Sequence, residues 1–275
     1  MGLPKPSSST AALVTGASAG IGSEIARELA RRGHNIILVA RRKQRLDELA
    51  EELVSTHGVR AETIPCDLGK PTTRGRLPGQ ITELGLEVDV LVNNAGFATG
   101  GAFADSDPQR ELEQVRVLVE AVVALTSAFL PAMVERRRGA VLNVASTAAM
   151  QPLPYAAGYS AAKAYVLTFS EAIHQEVTGS GVTVTALCPG PVETEFWDAA
   201  GWQVAGGRSF EKAFPKPALV SPRGVAKAGV DGLASGRRVV VPGLPMWAAM
   251  LASRYIPHAV KLPALARFMK PGDNR

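Results

Sequence analysis

A11-A-L-V-T-G-A-S-A-G-I-G22 is the stretch on which the fold turns. Ala11 to Thr15 form a short apolar run that feeds directly into glycines at 16, 20 and 22, spaced G-x-x-x-G-x-G. Such a run, stopped by a glycine turn, reads as a buried strand handing over to a helix, here near Gly20 to Arg32. Working outward, the alternation repeats. Strands are expected at 35–40, 61–66, 88–92, 140–145, 181–188 and 238–241. Helices are expected at 42–55, 108–136, 159–178 and 221–230, the last with Ser221 as N-cap and Pro222 in its first turn.

Apolar strands separated by helices require right-handed crossovers and a sheet covered on both faces. The expected fold class is therefore α/β: a single doubly wound, Rossmann-type parallel sheet with helices on both faces. No linker or repeat divides residues 1–275, so one domain is expected. The stretch from Glu195 to Leu219, dotted with prolines and aromatics, reads as a substrate-lid insertion, and residues 243–275 as a C-terminal cap.

Hydrophobic content of 46% against 20% charged residues marks a globular chain. Cys66 and Cys188 stand without a C-x-x-C or a neighbouring histidine, which argues against a metal site or a disulfide framework and for a cytoplasmic setting. A net charge of +5 is small, and the basic clusters at 41–45 and 136–138 sit at expected helix edges, so nucleic acid is not an expected partner. The first ten residues lack the apolar stretch of a signal peptide, and Pro6 spoils the myristoylation pattern begun by Gly2. Val117 to Met133 is the longest apolar run; Glu120 and helical periodicity make it read as a buried helix.

Glycines at a strand-to-helix turn let backbone approach a pyrophosphate, whose charge then faces the helix N-terminus. Gly16, Ser18, Gly20, Ile21 and Gly22 are the expected contacts. Where an NAD site places a carboxylate for the ribose 2′-hydroxyl, this chain has Ala40 followed by Arg41 and Arg42. A guanidinium grips a 2′-phosphate that a carboxylate would repel, so NADP(H) is favoured over NAD(H). The plainer alternative is that both arginines only begin an exposed helix. Asp67, beside Leu68, is positioned to accept from an adenine amino group. Asn94, Ala95 and Gly96, in N93-N-A-G96, fall at the ligand edge of the sheet.

Hydride transfer to a carbonyl needs a proton donor beside the forming alkoxide. In Y159-S-A-A-K163 a phenol and an ammonium share one helix face. The charge of Lys163 is expected to lower the phenol's pKa from about 10. Ser146, at the end of the fifth strand, is expected to hydrogen-bond the substrate oxygen.

With these residues in hand, the chain resembles the short-chain dehydrogenase/reductase family from about Ala11 to Thr194, and more loosely to Val241. The pattern TGxxxGxG matches Thr15 to Gly22, NNAG matches Asn93 to Gly96, a Ser-Tyr-Lys triad matches Ser146, Tyr159 and Lys163, and PGxVxT matches Pro189 to Thr194. The resemblance implies Tyr159 as acid/base, Lys163 as holder of the nicotinamide ribose and Ser146 as substrate-orienting. Pro189, Gly190, Val192 and Thr194 join the cofactor set, Val192 and Thr194 toward the carboxamide and phosphates. It also implies a homodimer or homotetramer paired through the helices carrying Leu118 and Tyr159.

The chain departs from the family at Leu118, where the resemblance puts an asparagine thought to hold a relay water behind the lysine. Slower turnover is the expectation, and a weakly active or non-catalytic NADPH-binding sensor or scaffold is the alternative. A second alternative arises because G16-A-S-A-G20 also matches the G-x-S-x-G of serine hydrolases, with Ser18 as nucleophile and His258 as base. Only about ten residues precede the first strand, which disfavours it.

Selectivity is expected from residues 147–155 and from Phe196, Trp197, Trp202, Phe210 and Phe214, whose bulk suits a hydrophobic carbonyl or alcohol. Their plainer role is to pack the insertion onto the sheet. The tail from Gly243, with Trp247 and scattered bases, reads as a cap over the pocket, with a membrane surface as the other place for it.

Overall fold

The computed structural model describes residues 2–192, 196, 203–204, 208–209, 219–253 and 255–270. Its main sheet holds β1 (Thr10–Thr15), β2 (Asn35–Ala40), β3 (Ala61–Pro65), β4 (Glu87–Asn93), β5 (Gly139–Val144), β6 (Val182–Leu187) and β9 (Val239–Val240). A small antiparallel ribbon, β7 (Gln203–Val204) and β8 (Arg208–Ser209), stands apart. The sheet order is β3-β2-β1-β4-β5-β6-β9, with every pairing parallel. Strand order reverses between β1 and β4, and the crevice beyond their carboxyl ends is where such sheets bind ligands.

Alternation along β1 feeds two separate cores. Ala12 and Val14 pack with Leu38, Val92 and Leu142 under α1 (Gly20–Arg31), α2 (Lys43–His57) and α8 (Pro222–Ala234). Ala11 and Leu13 pack on the opposite face with Ile37, Leu91, Val141 and Val184. Helices therefore cover both faces, as the strand pattern required. Ser221 caps α8, its hydroxyl accepting from the Gly224 amide at 3.1 Å.

Two features depart from the sequence expectation. α3 (Pro71–Arg74) and α4 (Leu77–Glu83) lie between β3 and β4, too short to show a clear apolar period. The helix expected at 108–136 is broken. α5 (Pro108–Val115) passes through a π-turn at Arg116–Glu120 into α6 (Ala121–Glu135). The run from 108 to 135 is apolar and long enough to cross a membrane by length and composition, and only 33% of its most apolar window is buried. The expected buried helix thus has an open face, where Leu112, Val115 and Val134 are exposed.

The basic residues at 136–138 do more than edge a helix. Arg136 donates to the Val88 carbonyl at 3.2 Å, and Arg138 reaches the buried Asp89 carboxylate at 3.0 Å. Inside the molecule, Asn93 donates to Asn143 at 2.8 Å and to Thr126 at 3.2 Å, and Asn143 donates to Ser170 at 2.9 Å. That network ties β4, β5, α6 and α7 (Ala157–Glu176) together. It fixes the helix that carries Tyr159 against the strand that ends at Val144.

Candidate active site

At the carboxyl edge of the sheet lies a cavity of about 490 Å³. Gly16, Ser18, Gly20, Ile21, Arg41, Arg42, Asp67, Leu68, Asn94, Ala95, Gly96, Ser146, Tyr159, Lys163, Pro189, Gly190 and Val192 all line it. Gly22 is buried behind the turn, and Thr194 lies outside the described residues.

The glycine turn follows from its dihedrals and its neighbours. Gly16 and Gly20 adopt φ of 66° and 61°, in the left-handed region that side chains resist. A Cβ on Gly16 would fall 2.7 Å from the Cα of Ala95, and one on Gly22 would strike the Gly16 carbonyl. Thr15 locks this approach: its hydroxyl donates to Val92 O at 3.0 Å and accepts from the amides of Asn94 at 2.9 Å and Ala95 at 3.1 Å. Asn94 in turn donates to Thr15 O at 2.9 Å. Helix α1 begins after Ala19 with no side chain capping it, so its first-turn amides face the cavity end as anion donors. Arg42 bends back over the turn, its Nε and Nη2 donating to Ser18 Oγ at 3.2 and 3.1 Å. Asp67 accepts from the Gly69 amide at 3.1 Å and still lines the cavity.

At the other end, Ser146, Tyr159 and Lys163 converge. Ser146 leaves β5, and its hydroxyl is hydrogen-bonded to the Tyr159 side chain while also accepting from the Ala148 amide at 3.1 Å. Lys163 donates from Nζ to the Val144 carbonyl at 2.7 Å and stands 5.8 Å from the centroid of the Tyr159 ring. Burial pushes the Tyr159 phenol up to about 12, with the Ser146 bond only partly offsetting it. Burial also pulls the Lys163 ammonium down to about 8. The expected lowering of the tyrosine is therefore corrected. Desolvation is the largest effect at the phenol, with the Ser146 bond opposing it, while Lys163 donates to the Val144 carbonyl.

Leu118 sits in the π-turn, 1% exposed. Its Cδ2 would lie 2.6 Å from a Cβ on Gly96, and Lys163 Nζ would lie 4.0 Å from that same point. The departure from the family pattern is thus an apolar wall close behind the lysine.

Thr147, Ala148, Gln151 and Leu153 line the cavity from the expected selectivity segment, as does Phe196, whose ring centroid is 5.7 Å from that of Tyr159. Trp197, Trp202, Phe210 and Phe214 lie outside the described residues. The serine-hydrolase arrangement is absent among the described residues: Ser18 is held by Arg42, and His258 does not line the cavity. Residues that the sequence reading did not single out also contribute. Phe97 and Arg110 meet at the rim, the guanidinium 4.1 Å above the ring centroid. Met246 and Met250 of α9 (Leu244–Ser253), with Leu265, Phe268 and Met269 of α10 (His258–Met269), form an apolar wall. Their irregular, proline-broken spacing gave no period to read.

A model of the short chain dehydrogenases matches residues 10–203. The chain belongs to the short-chain dehydrogenase/reductase family. This short-chain dehydrogenase is 36% identical over 189 residues to a very-long-chain 3-oxoacyl-CoA reductase of Anas platyrhynchos, a match covering 67% of the chain and 60% of the duck protein. The match therefore spans less than two thirds of that relative's own length. Over 188 residues it is 40% identical to a Streptomyces coelicolor protein named as a ketoacyl reductase, covering 68% of the chain and 72% of the relative. It superposes on a short-chain dehydrogenase from Sphingobium yanoikuyae in complex with NADPH with a TM-score of 0.77 and 30% identity, covering 91% and 97% of the two chains. That family is one of NAD(P)-binding oxidoreductases that act on carbonyls and alcohols.

Proposed function

We propose that this enzyme reduces the carbonyl of an apolar substrate with NADPH, taking the proton from Tyr159. One observation carries the reading: Ser146, Tyr159 and Lys163 face the same cavity as the glycine turn and the Met246, Met250, Leu265 and Met269 wall.

The dinucleotide fits the residues present. The Gly16–Gly22 turn and the uncapped start of α1 suit a pyrophosphate, and Arg41 and Arg42 suit a 2′-phosphate where NAD would call for a carboxylate. Bound there, the nicotinamide supplies the hydride. Tyr159 Oη, held neutral by burial, is a ready donor to a developing alkoxide, and the Ser146 hydroxyl fixes the distance between phenol and substrate oxygen. Lys163, anchored on Val144, would hold the nicotinamide ribose and a positive charge beside the phenol. The apolar wall excludes water from the reacting carbonyl.

Both named relatives act, by their names, on 3-oxoacyl or ketoacyl groups. Apolar 3-oxoacyl thioesters are therefore the first substrate class to test, polycyclic ketones the second. The open face of α5 and α6, together with the resemblance, supports pairing of copies there as a homodimer or homotetramer.

The test is cofactor oxidation against 3-oxoacyl thioesters, polycyclic ketones and polar sugars, with NADPH and NADH in parallel and Tyr159→Phe as control. Turnover of the apolar ketones with NADPH supports the reading. NADPH binding without turnover on any of them would overturn it in favour of a binding protein.

A further inference from the structure

We propose that α9 and α10 form a docking surface for a bilayer of anionic phospholipid. These helices have two apolar faces with different fates. One lines the active-site cavity through Met246, Met250, Leu265 and Met269. The other is open, with Leu244 76%, Trp247 49% and Leu251 exposed on α9, Val260 64% exposed on α10, and Tyr255 83% and Ile256 exposed in the link between them. A contiguous stretch that leaves six large apolar side chains in water marks an interaction surface.

Charge chooses the occupant. None of the chain's 25 acidic residues falls between positions 243 and 270, whereas Arg254, His258, Lys261, Arg267 and Lys270 all do. Lys261 is used internally, donating to the Ser253 carbonyl at 3.1 Å and pinning the two helices to each other. Arg267 and Lys270 are exposed. A second copy would bring the same bases against themselves, which like-charge repulsion disfavours. An anionic lipid surface offers opposite charge to the bases, an apolar boundary to the leucines and an interfacial layer to Trp247 and Tyr255. At 10 and 12 residues the helices are each too short to span a hydrocarbon core of about 30 Å, so they lie on the bilayer and do not cross it.

Docking stands on the surface alone. Its purpose, passing apolar substrate from the bilayer to the cavity on the helices' other side, rests on the function proposed above.

Flotation of the full chain with vesicles of phosphatidylcholine, alone or mixed with phosphatidylserine, tests the proposal. The protein is expected to float with the mixed vesicles, less with neutral ones, and less as salt rises. The double variant Trp247→Ser, Ile256→Ser is expected to lose on the order of tenfold in partitioning, with circular dichroism and turnover of a soluble ketone unchanged. No flotation with either composition, or equal flotation of variant and parent, overturns the proposal. So does a concentration-dependent dimer that the same variant abolishes without any flotation, since that would assign the surface to a second copy. Measuring flotation and turnover on the same parent protein separates the two readings: flotation without turnover sinks only the reductase, and turnover without flotation sinks only the docking.

Discussion

The Lys163 ammonium donates to the Val144 carbonyl at 2.7 Å, at the end of the strand that delivers Ser146. The lysine is thereby hydrogen-bonded to the sheet while it stands beside its tyrosine neighbour. Its low pKa and the tyrosine's high one share a cause, burial of both on the same helix face.

A pH dependence follows, with a definite sign. Lys163, pulled down to about 8, keeps its charge below that pH and loses it above. Tyr159, pushed up to about 12, stays protonated throughout the neutral range. kcat/KM for carbonyl reduction, which reports the free enzyme, should fall as pH rises through about 8. Lys163→Arg should lower the rate and remove that limb, because a guanidinium does not titrate there. A limb unchanged in the arginine variant would assign it to another group.

Tyr159→Phe removes the donor and little else, since the ring remains packed near Phe196. Turnover should drop by roughly 10²–10⁴, while NADPH binding measured by fluorescence stays within about twofold. Loss of binding in proportion to rate would mean that the phenol acts structurally.

Arg41→Ala with Arg42→Ala should raise KM for NADPH on the order of tenfold to a hundredfold and leave NADH nearly unaffected. Ser18 loses its Arg42 partner in this variant, so a small loss common to both cofactors is expected. Equal large losses would contradict the phosphate assignment.

Leu118→Asn puts a polar side chain beside Gly96 and Lys163, where the wall is now apolar. If a water relay behind the lysine limits the reaction, turnover should rise. An unchanged rate with unchanged stability would show that proton supply is not limiting.

Asn143→Ala should cost about 1–3 kcal/mol of unfolding free energy. It leaves the Asn93 amide with Thr126 alone and the Ser170 hydroxyl with only the Val166 carbonyl, inside the protein. Denaturant unfolding measures this, and a cost near zero would show that the network is dispensable.

Much of the architecture was legible because its signals are local. A strand that ends in Gly16, or a proline placed after Ser221, carries its conformation in its own covalent chemistry. Tyr159 and Lys163 share a helix face for the same reason, since four residues make one turn. The π-turn at 116–120 was not legible. It inserts one residue's worth of twist within an unbroken apolar run, and no residue type announces it. Nor was Thr15 legible as the bolt between β1 and the loop at 94–95, because its partners lie about eighty positions away.

The sequence by itself determined the alternation of strands and helices, the glycine turn, and the helix face shared by Tyr159 and Lys163, because periodicity and spacing are properties of neighbouring residues. Only the tertiary structure decided the protonation balance of Tyr159 and Lys163. It also decided that Leu118 abuts Gly96, and which side chains of α9 and α10 face the cavity. Those outcomes depend on desolvation and on packing between distant segments, and neither is written in any single stretch of chain.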